Sequence, residues 1–86
     1  MSRYRIEFLK TAQKELLKLP QDVQRRIAAK IDALSVDPRP PDSKKLKNGN
    51  ERLRIRVGDY RIIYRLEEDQ LVILVIKIGH RCNVYQ

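Results

Sequence analysis

Two short runs of alternating residues flank Gly58-Asp59, and they constrain this chain more than any other segment does. The stretch reads Glu51-Arg-Leu-Arg-Ile-Arg-Val-Gly-Asp-Tyr-Arg-Ile-Ile-Tyr-Arg65. Alternation with period two on both sides of such a dipeptide is the pattern of a β-hairpin with a two-residue loop. Counting outward from the loop pairs Val57 with Tyr60, Arg56 with Arg61, Ile55 with Ile62, Arg54 with Ile63, Leu53 with Tyr64 and Arg52 with Arg65. Side chains alternate across a strand, so Leu53, Ile55, Val57, Tyr60, Ile62 and Tyr64 share one face. Arg52, Arg54, Arg56, Arg61 and Arg65 share the other, interrupted only by Ile63. The first face needs an apolar cover. The second sets like charges opposite one another, which a sheet by itself disfavours.

The cover is expected from the first half of the chain. Residues 3–9 are rich in strand formers and read as a first strand. Thr11 suits an N-cap, and Ala12, Leu16 and Leu17 follow at helical spacing up to Leu19. Pro20 suits the first turn of a second helix, in which Val23, Ile27, Ile31 and Leu34 form one apolar stripe. Asp37-Pro-Arg-Pro-Pro-Asp-Ser ends that helix, and Lys44-Lys-Leu-Lys-Asn-Gly-Asn reads as a basic loop. Leu71 to Ile78 is apolar on both faces, as a central strand would be. The expected order is β-α-α-β-β-β. This is an α+β fold: one domain over residues 1–86, with an antiparallel-rich sheet and a helical hairpin packed on one face.

Charge says what the polar face is for. Nineteen Lys and Arg against eleven Asp and Glu give a net charge of +8, which suits a polyanion or an acidic partner. Arginine fits phosphate through its planar fork and stays ionised at any physiological pH. Lys44, Lys45 and Lys47 would extend the same field, and Tyr85 offers a ring for an exposed RNA base. No apolar run is long enough for a membrane-spanning helix, and the opening Met1-Ser-Arg-Tyr leaves no room for a signal peptide. Cys82 stands alone, so no internal disulfide forms. A cytoplasmic protein is expected. His80 and Cys82, without further His or Cys, make a poor metal site, and no cofactor is expected.

The order and spacing of Lys44-Lys-Leu-Lys, Leu53-Arg-Ile-Arg-Val-Gly-Asp-Tyr-Arg-Ile-Ile-Tyr, Ile78-Gly-His-Arg and Val84-Tyr85 resemble the RelE/ParE superfamily of small toxins. The likeness is to its RelE-like branch and covers nearly the whole chain. It implies a ribosome-dependent, metal-independent endoribonuclease that cuts mRNA in the A site, neutralised by an acidic antitoxin in a hetero-oligomer. The ribosome and mRNA are the other implied partners, with no membrane. Position by position, the resemblance implies functional roles for Arg54 and Arg56 before the turn, Arg61 after it, Arg81 and Tyr85. In the family the two positions before the turn are commonly lysine. Arginine cannot be tuned to accept a proton. His80, whose ordinary pKa lies near neutrality, is therefore the candidate for proton transfer. Arg52 and Arg65, with Lys44, Lys45 and Lys47, would bind RNA. The alternatives are a ParE-like inhibitor of DNA gyrase without chemistry of its own, and a non-cleaving RNA-binding module.

Overall fold

A computed structural model of the protein describes residues 3–45 and 52–80. The elements follow in the order β1 (Arg5–Phe8), α1 (Lys10–Leu17), α2 (Gln21–Leu34), β2 (Lys44–Lys45), β3 (Arg52–Val57), β4 (Tyr60–Glu67) and β5 (Val72–His80). The five strands form one mixed sheet in the order β1-β5-β4-β3-β2. Only the β1–β5 pair is parallel; the others are antiparallel. The α+β architecture with a helical hairpin on one sheet face is as expected, and β5 lies inside the sheet between β1 and β4.

The core is built from the predicted stripes. Val23, Ile27, Ile31 and Leu34 of α2 and Ala12 of α1 pack with Leu53, Ile55, Ile62, Tyr64, Leu66, Ile73, Val75 and Ile78. Fully burying an aliphatic side chain of this size stabilises by about 2 kcal/mol, so this layer holds helices to sheet. Tyr64 is wholly buried, and its hydroxyl donates to the Pro38 carbonyl at 2.7 Å. That bond ties the proline-rich segment to the sheet. Burial of the ring pushes the Tyr64 hydroxyl up to about 12.

Several boundaries differ from expectation. The first strand is shorter, Arg5–Phe8. Thr11 does not cap α1: Leu9 occupies the N-cap without a side-chain bond, and Thr11 lies inside the first turn. Pro20 is the N-cap of α2, one place before the first helical residue. The segment expected as a basic loop begins as strand β2, because Lys44 and Lys45 reach the open edge of β3.

Two polar side chains do work that hydrophobic periodicity does not reveal. Gln24 donates to the carbonyls of Leu19, at 2.8 Å, and Leu17, at 3.3 Å, which otherwise lack helical partners at the end of α1. This allows the helices to join with almost no linker. Glu15 accepts from the Ile78 backbone N–H at 2.9 Å and from Lys77 Nζ at 3.2 Å. The pairing of β1 with β5 runs only to Phe8 and Val75, so Glu15 serves the next part of the β5 edge.

The two helices also differ outside the core. In α2, Asp22 and Asp32 accompany Arg25, Arg26 and Lys30, with Asp22 in the first turn. Along α1 the exposed Lys10, Lys14 in the last turn and Lys18 at the C-cap recur every four residues, opposite buried Ala12, and the first turn holds no acidic residue. Like charges at that spacing each weaken a helix by about 0.3 kcal/mol. Lys10 at the N-terminal end opposes the helix dipole, whereas Lys14 and Lys18 at the C-terminal end are favoured by it.

Candidate RNA-binding face

The β3–β4 register agrees with expectation at every pair: Val57↔Tyr60, Arg56↔Arg61, Ile55↔Ile62, Arg54↔Ile63, Leu53↔Tyr64 and Arg52↔Arg65. Gly58 takes φ 58° at the first loop position, as a tight hairpin turn with a single left-handed residue requires. From the helix side, Arg26 leans over this turn: a methyl group on Gly58 would meet Arg26 Nη2 at 2.5 Å.

Arg52, Arg54, Arg56, Arg61 and Arg65 therefore lie on the sheet face away from the helices, and the structure brings them together. Their surroundings differ. Arg52 and Arg56 are exposed and Arg54 half-buried. Among the described residues none of these three pairs with a carboxylate, whereas Arg65 pairs with Glu67. Arg61 is half-buried, with Nε fully enclosed. It sits between Arg56 on β3 and Gly79 on β5. Gly79 itself places no side chain beside Arg61. Two guanidinium groups side by side can hold the oxygens of one phosphodiester.

Lys44 pairs with Arg54 and joins this face. Lys45 pairs with Leu53, and strand alternation turns it to the helix side, which corrects its placement in the same field. His80 is also set apart. A β-bulge shifts the β4–β5 register, so that Ile63 pairs with Lys77 but Tyr64 with Val75, leaving Ile76 as the extra residue. The shift turns Gly79 to the arginine face and Ile78 to the core, while Lys77, across from Ile63, has its ammonium on Glu15 of α1. His80 then lies across from Tyr60 on the helix side, its ring edge-on to the tyrosine at 5.6 Å. The uniformly apolar strand concealed this change of parity. Tyr60 and Tyr64 belong to the core layer, as expected. Lys47, Arg81, Cys82 and Tyr85 lie outside the described residues.

Among the described residues no three His, Cys, Asp or Glu side chains gather as metal ligands, and no helix is long and apolar enough to cross a membrane.

Comparison with known proteins settles the family. The profile described as "ParE toxin of type II toxin-antitoxin system, parDE" matches residues 6–85. The chain belongs to the RelE/ParE family of type II toxins. The relatives it matches include RelE-like toxins. A protein of Escherichia coli described as a RelE-like toxin is 31 % identical over 81 residues, spanning 92 % of this chain and 84 % of that protein. The toxin RelE1 of Methanocaldococcus jannaschii is 30 % identical, spanning 98 % and 97 %. Among solved structures, the archaeal RelE–RelB complex of Pyrococcus horikoshii contains a chain that superposes with a TM-score of 0.83 at 32 % identity. That match covers 95 % of this chain and 99 % of the other.

Proposed function

We propose that this RelE-like toxin is an endoribonuclease that cuts messenger RNA in the ribosomal A site, with the RNA's own 2′-hydroxyl as nucleophile. The observation that supports it most is the pairing of Arg56 with Arg61 on the sheet face away from the helices. The reaction forms a bond from the 2′-oxygen to phosphorus and breaks the bond from phosphorus to the 5′-oxygen. It leaves a 2′,3′-cyclic phosphate and a 5′-hydroxyl. The protein's task is to hold the phosphate in line and offset charge on the oxygens. Arg61, with Arg81, holds the non-bridging oxygens. Arg54 and Arg56 steady the backbone and assist the leaving oxygen electrostatically, while Tyr85 stacks on the base at the cut.

One proton must leave the 2′-hydroxyl and another must reach the 5′-oxygen. Guanidinium groups cannot accept the first. His80, the candidate by chemistry, lies across from Tyr60 on the helix side and so on the other sheet face from Arg61. A His80→Ala variant is therefore expected to cleave at an unchanged rate, which assigns both transfers to the ribosome or the RNA. A large loss of cleavage would return the role to His80. No cofactor is needed.

The partner proposed for the basic surface is an acidic antitoxin, as the RelE–RelB complex of the archaeal relative suggests. It would form a hetero-oligomer with the toxin and screen the arginines. The ParE description of the matching profile favours a second reading, inhibition of DNA gyrase. Purified toxin added to programmed ribosomes and, separately, to gyrase in a supercoiling assay distinguishes them. A-site cleavage with gyrase unaffected is the expected result; the reverse pattern replaces the nuclease with a gyrase inhibitor.

A further inference from the structure

Strand β5 loses a neighbour part-way along its length. Up to Val75 it lies between β1 and β4, and the Leu9 N–H closes the β1 side on the Val75 carbonyl at 3.0 Å. Beyond the bulge, β4 still pairs with Lys77 to His80, but β1 has ended and the chain has turned into α1. A strand end with one side open frays readily, because little holds its backbone bonds from water. Glu15 fills the gap. Its half-buried carboxylate accepts from the Ile78 N–H at 2.9 Å and from Lys77 Nζ at 3.2 Å. By contrast the carboxylates of Glu7, Glu67 and Glu68 pair with arginine side chains. In an antiparallel ladder successive residues turn their backbone groups to alternate sides. The Ile78 N–H points to α1, so Lys77 and Gly79 turn theirs to β4, and Gly79 faces Arg61 as a hydrogen-bonded pair. Glu15 therefore holds the residue next to the backbone partner of Arg61. Arg61 is half-buried with Nε enclosed, so the path of β5 beside it sets how the guanidinium is held.

We infer that Glu15 is a positioning residue for the phosphate-binding arginines: it clamps the end of β5, so that Arg61 keeps a fixed place opposite Arg56. It acts from the edge beside α1 and does not meet the RNA. This inference rests on the nuclease reading and adds to it a residue that lies off the arginine face. A carboxylate suits the task, because it accepts two bonds at once and binds an N–H more strongly than a neutral acceptor does. The acceptor for Ile78 carries the effect. The Lys77 pair is partly exposed and contributes less. The bulge at Ile76 gives the clamp a further task, since the residues after it follow a shifted register and Glu15 attaches two residues beyond it.

The test uses the full chain on programmed ribosomes, at a temperature where every variant is folded. Glu15→Ala should lower the cleavage kcat about tenfold with KM little changed, because a small misplacement of a group that holds the phosphate acts on the chemical step. Glu15→Gln keeps an oxygen for the Ile78 N–H and should restore kcat to within about threefold of wild type, as should Lys77→Gln. A core control, Ile31→Val or Ile31→Ala, whichever matches the melting temperature of Glu15→Ala, should keep the wild-type kcat. Amide exchange at Ile78 and Gly79 should quicken about tenfold in Glu15→Ala, while exchange at Ile55 changes only as it does in the control. A wild-type kcat in Glu15→Ala overturns the inference, as does an equal loss in the core control. So does a glutamine variant as slow as the alanine one, or unchanged exchange at Ile78. If the wild type does not cleave, the nuclease reading falls instead, and amide exchange decides the clamp separately.

Discussion

Arginines on β3 and those around the β4–β5 turn have different company. Around the β4–β5 turn each has an acid at hand: Arg65 with Glu67, Arg39 with Glu68, and Arg5 with Glu7 on the neighbouring edge strand. On β3, Arg52, Arg54 and Arg56 have no such partner among the described residues. Exposed ion pairs contribute little to stability, commonly below about 1 kcal/mol. Their absence on β3 therefore costs the fold little and leaves cationic groups available to an outside anion. Charge is balanced where the sheet needs solubility and left unbalanced where the phosphate is proposed to bind.

The sharpest way to break this contrast is Arg61→Ala. Cleavage on programmed ribosomes should fall about 100-fold, as for loss of one group that stabilises developing charge, with the thermal midpoint little changed. A rate near wild type would mean that the Arg56–Arg61 pair is not where the phosphate sits. Next comes Glu15→Ala, which removes a charged acceptor from the Ile78 N–H. Stability measured by urea unfolding should drop by about 2 kcal/mol. An unchanged midpoint would show that water serves that edge equally well.

The comparison itself is tested by taking one arginine from each group. Arg54→Gln or Arg56→Gln should slow cleavage on the order of tenfold, the worth of one charge-assisted hydrogen bond. Arg65→Gln should slow it less than twofold. Equal losses would erase the distinction between paired and unpaired arginines.

The mildest case, Tyr64→Phe, concerns the anchor of the proline-rich segment and should cost about 1 kcal/mol at neutral pH while leaving cleavage intact. It also has an alkaline signature. Burial raises the Tyr64 hydroxyl from 10.0 to about 12, so above pH 10 the unfolded chain loses this proton while the folded protein keeps it. Wild-type stability should therefore be full below pH 10 and decline by on the order of 2 kcal/mol as pH rises towards 12. The phenylalanine variant should lack that part of the decline. An identical alkaline limb in both proteins would assign it to other groups.

How much of this was legible depended on whether a pattern was local and periodic. The hairpin was readable to the residue, because Gly58-Asp59 fixed the turn and each flanking strand kept strict alternation. The α2 stripe was equally plain. The candidate site was legible on β3 and β4 and obscured on β5. A bulge at Ile76 leaves no mark in a run whose neighbours are all apolar, so the separation of His80 from Arg61 emerged only from the register. Lys45 was misplaced for a related reason: a two-residue strand is too short to show alternation, and its facing is set by pairing with Leu53. Gln24 and Glu15 were invisible because each serves backbone groups whose need arises from the packing of other elements.

The parallel pairing of β1 with β5 has a consequence for the timing of synthesis. Arg5 bonds beside Val72, so the earliest strand to be made must wait for almost the last before it has a neighbour. Until then the nascent chain can assemble only its helical pair and the central hairpin, since pairings distant along the chain close late. A protein proposed to attack the machinery that makes it would thus complete its sheet only once β5 has been made.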